Sequence, residues 1–172
     1  MKIDDFSEIS VKGKAAYAIL CFEEYIKVKY PDTDMTPVLE LMWKIPCQPL
    51  DNYTYKYVEI LPECLFEFDS YNNEFEEISE KEFNMFRDIL NNTDKDLNEL
   101  MKRIYDIVSA YEGTIITDNG QEASHYLEEA VKVLEKNNIP LPDIKKVSSY
   151  SSNECDGWGK SIYPQGISSI LK

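Results

Sequence analysis

Apolar side chains recur along most of this chain at helical spacing. Val11, Ala15, Ala18, Ile19, Phe22 and Ile26 fall on one stripe and predict a helix over residues 11–29. Ser10 is placed to cap it, Gly13 weakens its first turn, and Pro31 lies just past its end. Thr36 as N-cap and Pro37 as first helical residue open a second helix to about Ile45. Its Val38, Leu39, Leu41, Met42 and Trp43 leave little polar face, the pattern of a buried helix. Pro46 and Pro49 bracket a break, and Asp51 can cap a third helix. There Tyr53, Tyr57, Ile60, Leu61, Cys64, Leu65 and Phe68 form the stripe, while Pro62 predicts a kink or two abutting segments.

Residues 69–77 read as an irregular acidic loop. Ser79 and Glu82 then make a capping box, with Ile78 and Phe83 as its hydrophobic staple, opening a helix to about Asn91. Thr93 or Asp94 caps the next, in which Leu97, Leu100, Met101, Ile104, Ile107, Val108 and Tyr111 line one side as far as Gly113. A short β-prone link, 114–117, leads to a last long helix capped by Asp118 and Gln121 and running to about Asn137. The fold class is therefore all-α: an irregular bundle of roughly five or six helices. One domain, 1–172, comprises a helical core (1–140) and an extended tail (141–172). Ile144, Val147, Tyr150, Trp158, Tyr163, Ile167, Ile170 and Leu171 make that tail a packing segment, not a free linker. No internal repeat of fixed register supports a solenoid.

Charge changes the picture most. Eighteen basic side chains stand against 32 acidic ones, a net charge of −14. Such a field opposes nucleic-acid phosphates and anionic membrane surfaces, and leaves a basic protein partner or simple solubility. The stretch 57–80 concentrates the charge, with eight acids (Glu59, Glu63, Glu67, Asp69, Glu74, Glu76, Glu77, Glu80) and no Lys or Arg. Glu59, Glu63 and Glu67 follow at i, i+4, i+8 and would stack and repel on one helix face. Interleaved aromatic residues, including Phe66, Phe68, Tyr71 and Phe75, make the stretch either a solvated face or a docking surface.

Catalytic chemistry finds little support. His125 is the single histidine and reads as an ordinary residue in the first turn of a helix. Cys21, Cys47, Cys64 and Cys155 have no C-x-x-C spacing and, in a reducing compartment, read as small buried hydrophobes and not as disulfides or ligands. No zinc set is present, and the calcium-like opening Asp94-x-Asp96-x-Asn98 has Glu99 where Gly is required. Glu122-x-x-His125 occurs once, with no second copy to complete a carboxylate-bridged metal pair. Gly157-Trp158-Gly159 either pins the tail or presents an aromatic hot spot. The chain is read as a non-enzyme with no cofactor and no metal. Acids in the first residues argue against a signal peptide, and the longest apolar run, 15–22, is too short to span a bilayer, so the expected location is the cytoplasm.

The opening helix Val11-Lys12-Gly13-Lys14-Ala15-Ala16-Tyr17-Ala18, the Leu61-Pro62-Glu63 entry into the acidic aromatic loop, the stretch from Glu135 to Pro142 and the Gly157-Trp158-Gly159 tail carry a resemblance. In that order they resemble bacterial immunity proteins of polymorphic-toxin systems, including contact-dependent growth inhibition. The resemblance implies a cytosolic, non-catalytic inhibitor that binds one toxin domain, often a basic nuclease, and blocks it. Glu67, Asp69, Tyr71, Glu74, Glu76 and Glu77 are the expected partner-binding residues, with Trp158 as a more distant one. A monomer is the expected state of the free protein. The alternative reading is a helical adaptor or regulatory protein that binds another basic partner.

Overall fold

A computed structural model describes residues 3–47 and 53–172. Among them it shows α1 (Val11–Lys29), α2 (Thr36–Met42), α3 (Lys44–Cys47), α4 (Tyr53–Glu59), α5 (Pro62–Leu65), α6 (Glu80–Leu90), α7 (Lys95–Ser109) and α8 (Gln121–Lys136). Short 3-10 turns span Ile3–Phe6, Ile144–Lys146 and Cys155–Gly157. No strand is named among the described residues, and only an isolated antiparallel bridge joins Ile9 to Ser151. The all-α class read from the hydrophobic pattern is what the chain adopts.

α1 is the central element. It packs on α7 and α8 along one side and on α3 along another. The stripe predicted for it is too narrow, because Tyr17, Leu20, Cys21 and Tyr25 are buried as well. The tail also packs on α1. Ser10 and Lys12 donate backbone N–H groups to the Tyr150 and Trp158 carbonyls, and the Tyr17 hydroxyl donates to the Pro142 carbonyl at 2.8 Å. By contrast α6, α7 and α8 each bury one face, as their spacing requires.

Local caps formed where the sequence placed them. Ser10 accepts the Gly13 N–H, the Ser79–Glu82 capping box is complete, and Asp94 accepts the Leu97 N–H. Several boundaries moved. Thr36 is the first helical residue, not the cap: Met35 holds the N-cap position, and the Asp34 carboxylate accepts the Thr36 N–H. The helix begun there stops at Met42 and a separate short helix carries Ile45 and Pro46. α7 ends at Ser109, and a turn reaches Gly113. The expected cap at Asp51 and the break at Pro49 fall outside the described residues.

The tail packs along the helices. Val147, Ile162 and Ile167 are buried, and Ile162 donates its N–H to Pro46. Near its end, Ser168 and Ser169 bond to Glu23, a fully buried acid of α1. Among the described residues no helix is long and apolar enough to cross a membrane.

Candidate functional site

The acidic stretch is not a continuous helix. It breaks between α4 and α5, as Pro62 foretold, and this break removes the predicted stack of Glu59, Glu63 and Glu67. Each carboxylate takes its own direction. Glu63 pairs with Lys102 of α7 at 3.1 Å, so the stretch does have a compensating cation, supplied from elsewhere in the chain. Glu59 turns to the loop that follows α5. Its Oε1 accepts the Glu76 N–H at 2.8 Å and the Glu77 N–H at 3.0 Å, and its Oε2 accepts the Ile78 N–H at 2.9 Å. A carboxylate holding three successive backbone donors fixes the loop's path much as an anion fixes a backbone nest.

Beneath the loop lies an aromatic floor. Phe75 is buried, with its ring centroid 4.8 Å from Phe83 and 6.0 Å from Phe68. Tyr71 stacks on Phe75 at 5.9 Å and donates its hydroxyl to the Ile78 carbonyl. Arg87 of α6 lies against the Phe66 and Phe83 rings and donates to the Phe68 carbonyl at 2.6 Å. The aromatic residues interleaved with the acids therefore face inward.

Glu67, Asp69, Glu74, Glu76 and Glu77 all lie exposed on this scaffold. None has an ion-pair partner among the described residues. Arg87, which lies against the aromatic floor, is committed to the Phe68 carbonyl. The structure thus gathers five of the predicted residues on one loop and its approach. Tyr71 belongs to the same loop but is half-buried and structural.

Trp158 belongs elsewhere. Its indole N–H donates to the Thr114 carbonyl at 3.2 Å, and its own carbonyl accepts the Lys12 N–H. Gly157 and Gly159 on either side take left-handed φ values of +88° and +79°, which turn the backbone tightly enough to lay the half-buried indole on the helices. It pins the tail to the 114–117 link, the first of its two predicted roles.

That link leads to α8, whose start also differs from expectation. Gly120 occupies the N-cap position in left-handed conformation and offers no side chain. Tyr111 supplies the cap from α7's end: its hydroxyl accepts the Glu122 N–H at 3.0 Å and donates to Asp118. Burial pushes the Tyr111 hydroxyl up to about 12, and its hydrogen bond to Asp118 adds to this. Burial also acts to raise the Asp118 carboxyl, but the bonds it accepts from Tyr111 and from nearby N–H groups together hold it below its usual range. Next to it, buried Lys14 donates to the Asn119 and Gly120 carbonyls at 2.7 and 3.2 Å, and burial pulls its ammonium down to about 8.

His125 is exposed on α8 with Glu129 at 3.5 Å. Glu122 faces Tyr126 instead. Cys155 is exposed, while burial pushes the Cys21 thiol up. Among the described residues no group of three or more His, Cys, Asp or Glu side chains is placed to hold a metal ion.

Sequence reasoning missed Glu59 as the organiser of the loop and Arg87 as its buttress. Both act across 17 to 19 positions, beyond any local pattern. No protein-family model matches the chain, and comparisons with curated proteins and with solved structures likewise find no match.

Proposed function

We propose that this protein is a non-catalytic immunity protein that acts in the cytoplasm, binding a cationic toxin domain, of the basic-nuclease kind, through the acidic loop. The observation that carries the reading is the set of five exposed, unpaired carboxylates on a loop whose backbone is fixed from below by Glu59 and Phe75. Fixing the loop in advance lowers the ordering cost of association. Unpaired acids facing solvent repel nucleic-acid phosphates and attract a cleft built to hold them, so the protein would occupy the substrate's place. Its net charge of −14 would steer encounter, with an on-rate that falls as salt rises.

Calorimetric titration against the small cationic toxin domain encoded beside it, at low and high salt, tests the proposal. Nanomolar affinity that weakens with salt is the expected result. Reversing Glu74, Glu76 and Glu77 together to Lys is expected to weaken binding by about tenfold or more while leaving the thermal midpoint in place. No heat at either salt would overturn the inhibitor reading and leave the adaptor reading. Unchanged affinity in the triple variant would remove the loop from the interface.

A further inference from the structure

Glu23 is a fully buried carboxylate with no cationic partner among the described residues. Four neutral donors surround it instead. The Trp43 indole N–H reaches Oε1 at 3.0 Å, and the Ser168 hydroxyl donates to the same oxygen. Oε2 accepts the Ser169 N–H at 2.8 Å and the Ser169 hydroxyl at 2.9 Å. Three of the four donors come from the chain's last residues, across 145 or 146 positions. The Ser168 hydroxyl oxygen in turn accepts the Ile170 and Leu171 N–H groups. Among the described residues, every hydrogen bond from 168–171 to the helices therefore ends on this one side chain.

Two hollows flank this segment. One, of about 630 Å³, is bordered by Trp43, Lys44, Cys47 and Tyr163; the other, of about 180 Å³, by Ile26, Tyr30 and Met35. Both also touch Thr36 of α2 and Ile170. Ile170 is half-buried where it borders them. Upstream, the tail is held independently: Ile167 is buried, its carbonyl accepts from Lys146, and Ile162 is bonded to Pro46 and Cys47. Gly166, at a φ of +78° and with open space where a Cβ would stand, lies just upstream of the Ile167 anchor.

We propose that residues 168–171 form a detachable strap fastened by Glu23, whose release joins the two hollows into one groove along α2 and uncovers Trp43. The forces on the fastener are opposed. Closed, Glu23 keeps its donors but stays out of water without a counter-charge. Open, water solvates the carboxylate and four residues regain conformational freedom, while the contacts of Ile170 and Leu171 are lost. Because the upstream anchors do not involve Glu23, the strap can open without unfolding the bundle.

Native-state hydrogen exchange of the full chain, followed by NMR over a series of low urea concentrations, tests this. The Ser169 amide and the Trp43 indole N–H are expected to exchange together. Their common rate should be at least tenfold faster than that of the α1 amides around Leu20 and should barely depend on urea. Glu23→Gln should speed both by a further tenfold or more and leave the α1 amides unchanged. Ser169→Ala, which keeps the buried carboxylate, should speed the same pair and serves if the first variant does not fold. The proposal is overturned if the Trp43 indole exchanges only with the α1 amides and follows their urea dependence, for then the chain end merely frays. Equal acceleration of strap and α1 amides by either variant overturns it too.

Discussion

Glu59 accepts the Ile78 N–H at 2.9 Å across nineteen positions, and through that bond an acid at the end of α4 shapes the acidic loop. A sequence reading counts Glu59 as one more repelling charge in a chain of net −14. The structure gives it the opposite sign of effect. Replacing it by Ala is expected to lower stability by about 1–2 kcal/mol, the scale for charge-assisted bonds to partly exposed N–H groups. Urea denaturation checks this, with hydrogen exchange at Glu76, Glu77 and Ile78 expected to speed most. A gain in stability, as relief of charge repulsion alone would give, would sink the assignment.

The helix α8 depends on a cap supplied by a tyrosine in the turn that follows α7. Tyr111→Phe keeps the ring and removes only the hydroxyl that accepts the Glu122 N–H and donates to Asp118. A loss of about 1 kcal/mol is expected, comparable to removal of an ordinary N-cap. Thermal unfolding would register it as a fall of roughly 2–4 °C for a chain of this size. An unchanged midpoint would mean that water replaces the hydroxyl without cost.

Lys14 makes stability depend on pH in an unusual direction. Its folded value, about 8, lies below the ordinary 10.5. Below about pH 8 both folded and unfolded chains hold the proton, and the group contributes no slope. Between about 8 and 10.5 the unfolded chain binds more protons, so this group's contribution favours the fold increasingly as pH rises. Lys14→Met removes the effect. The stability of the wild type relative to that variant is expected to improve by about 2 kcal/mol between pH 7.5 and 9.5. Urea melts of both proteins at the two pH values measure it; a constant difference would contradict the burial of a charged ammonium.

Two glycines separate backbone strain from crowding. Gly159 and Gly166 have φ values of +79° and +78°. A Cβ at Gly166 meets nothing within 4 Å, whereas one at Gly159 collides with the Ser10 side chain that caps α1. Gly166→Ala is expected to cost about 1 kcal/mol, the left-handed penalty alone. Gly159→Ala adds a collision with backbone-anchored atoms and is expected to cost about 3 kcal/mol. Equal losses in chemical denaturation would show that the tail shifts freely against α1.

The legible part of this protein is the part whose partners lie within one or two helical turns. Ser10 with Gly13, Ser79 with Glu82 and Asp94 with Leu97 satisfy helix ends over three positions, so residue type and spacing suffice to find them. The break at Pro62 is legible for the same reason, since a missing N–H acts where it stands. Boundaries near Thr36 and Gly120 were misjudged because the backbone that forms puts Met35 and Gly120, neither with a capping side chain, at the N-cap positions. In α8 the capping group, Tyr111, is not even adjacent.

Sequence alone determined the helical class, the buried faces of α6, α7 and α8, and the exposed acids of the loop, because periodicity and charge act through solvent and near neighbours. Tertiary structure alone decided what the polar groups with distant partners do. Glu59 became the loop's anchor, Glu23 the tail's, and Trp158 a pin against Thr114. A carboxylate in an unfolded chain has water as its partner and carries no sign of which N–H will replace it. Only burial, which removes the water, makes that choice matter, and burial is a property of the packed chain.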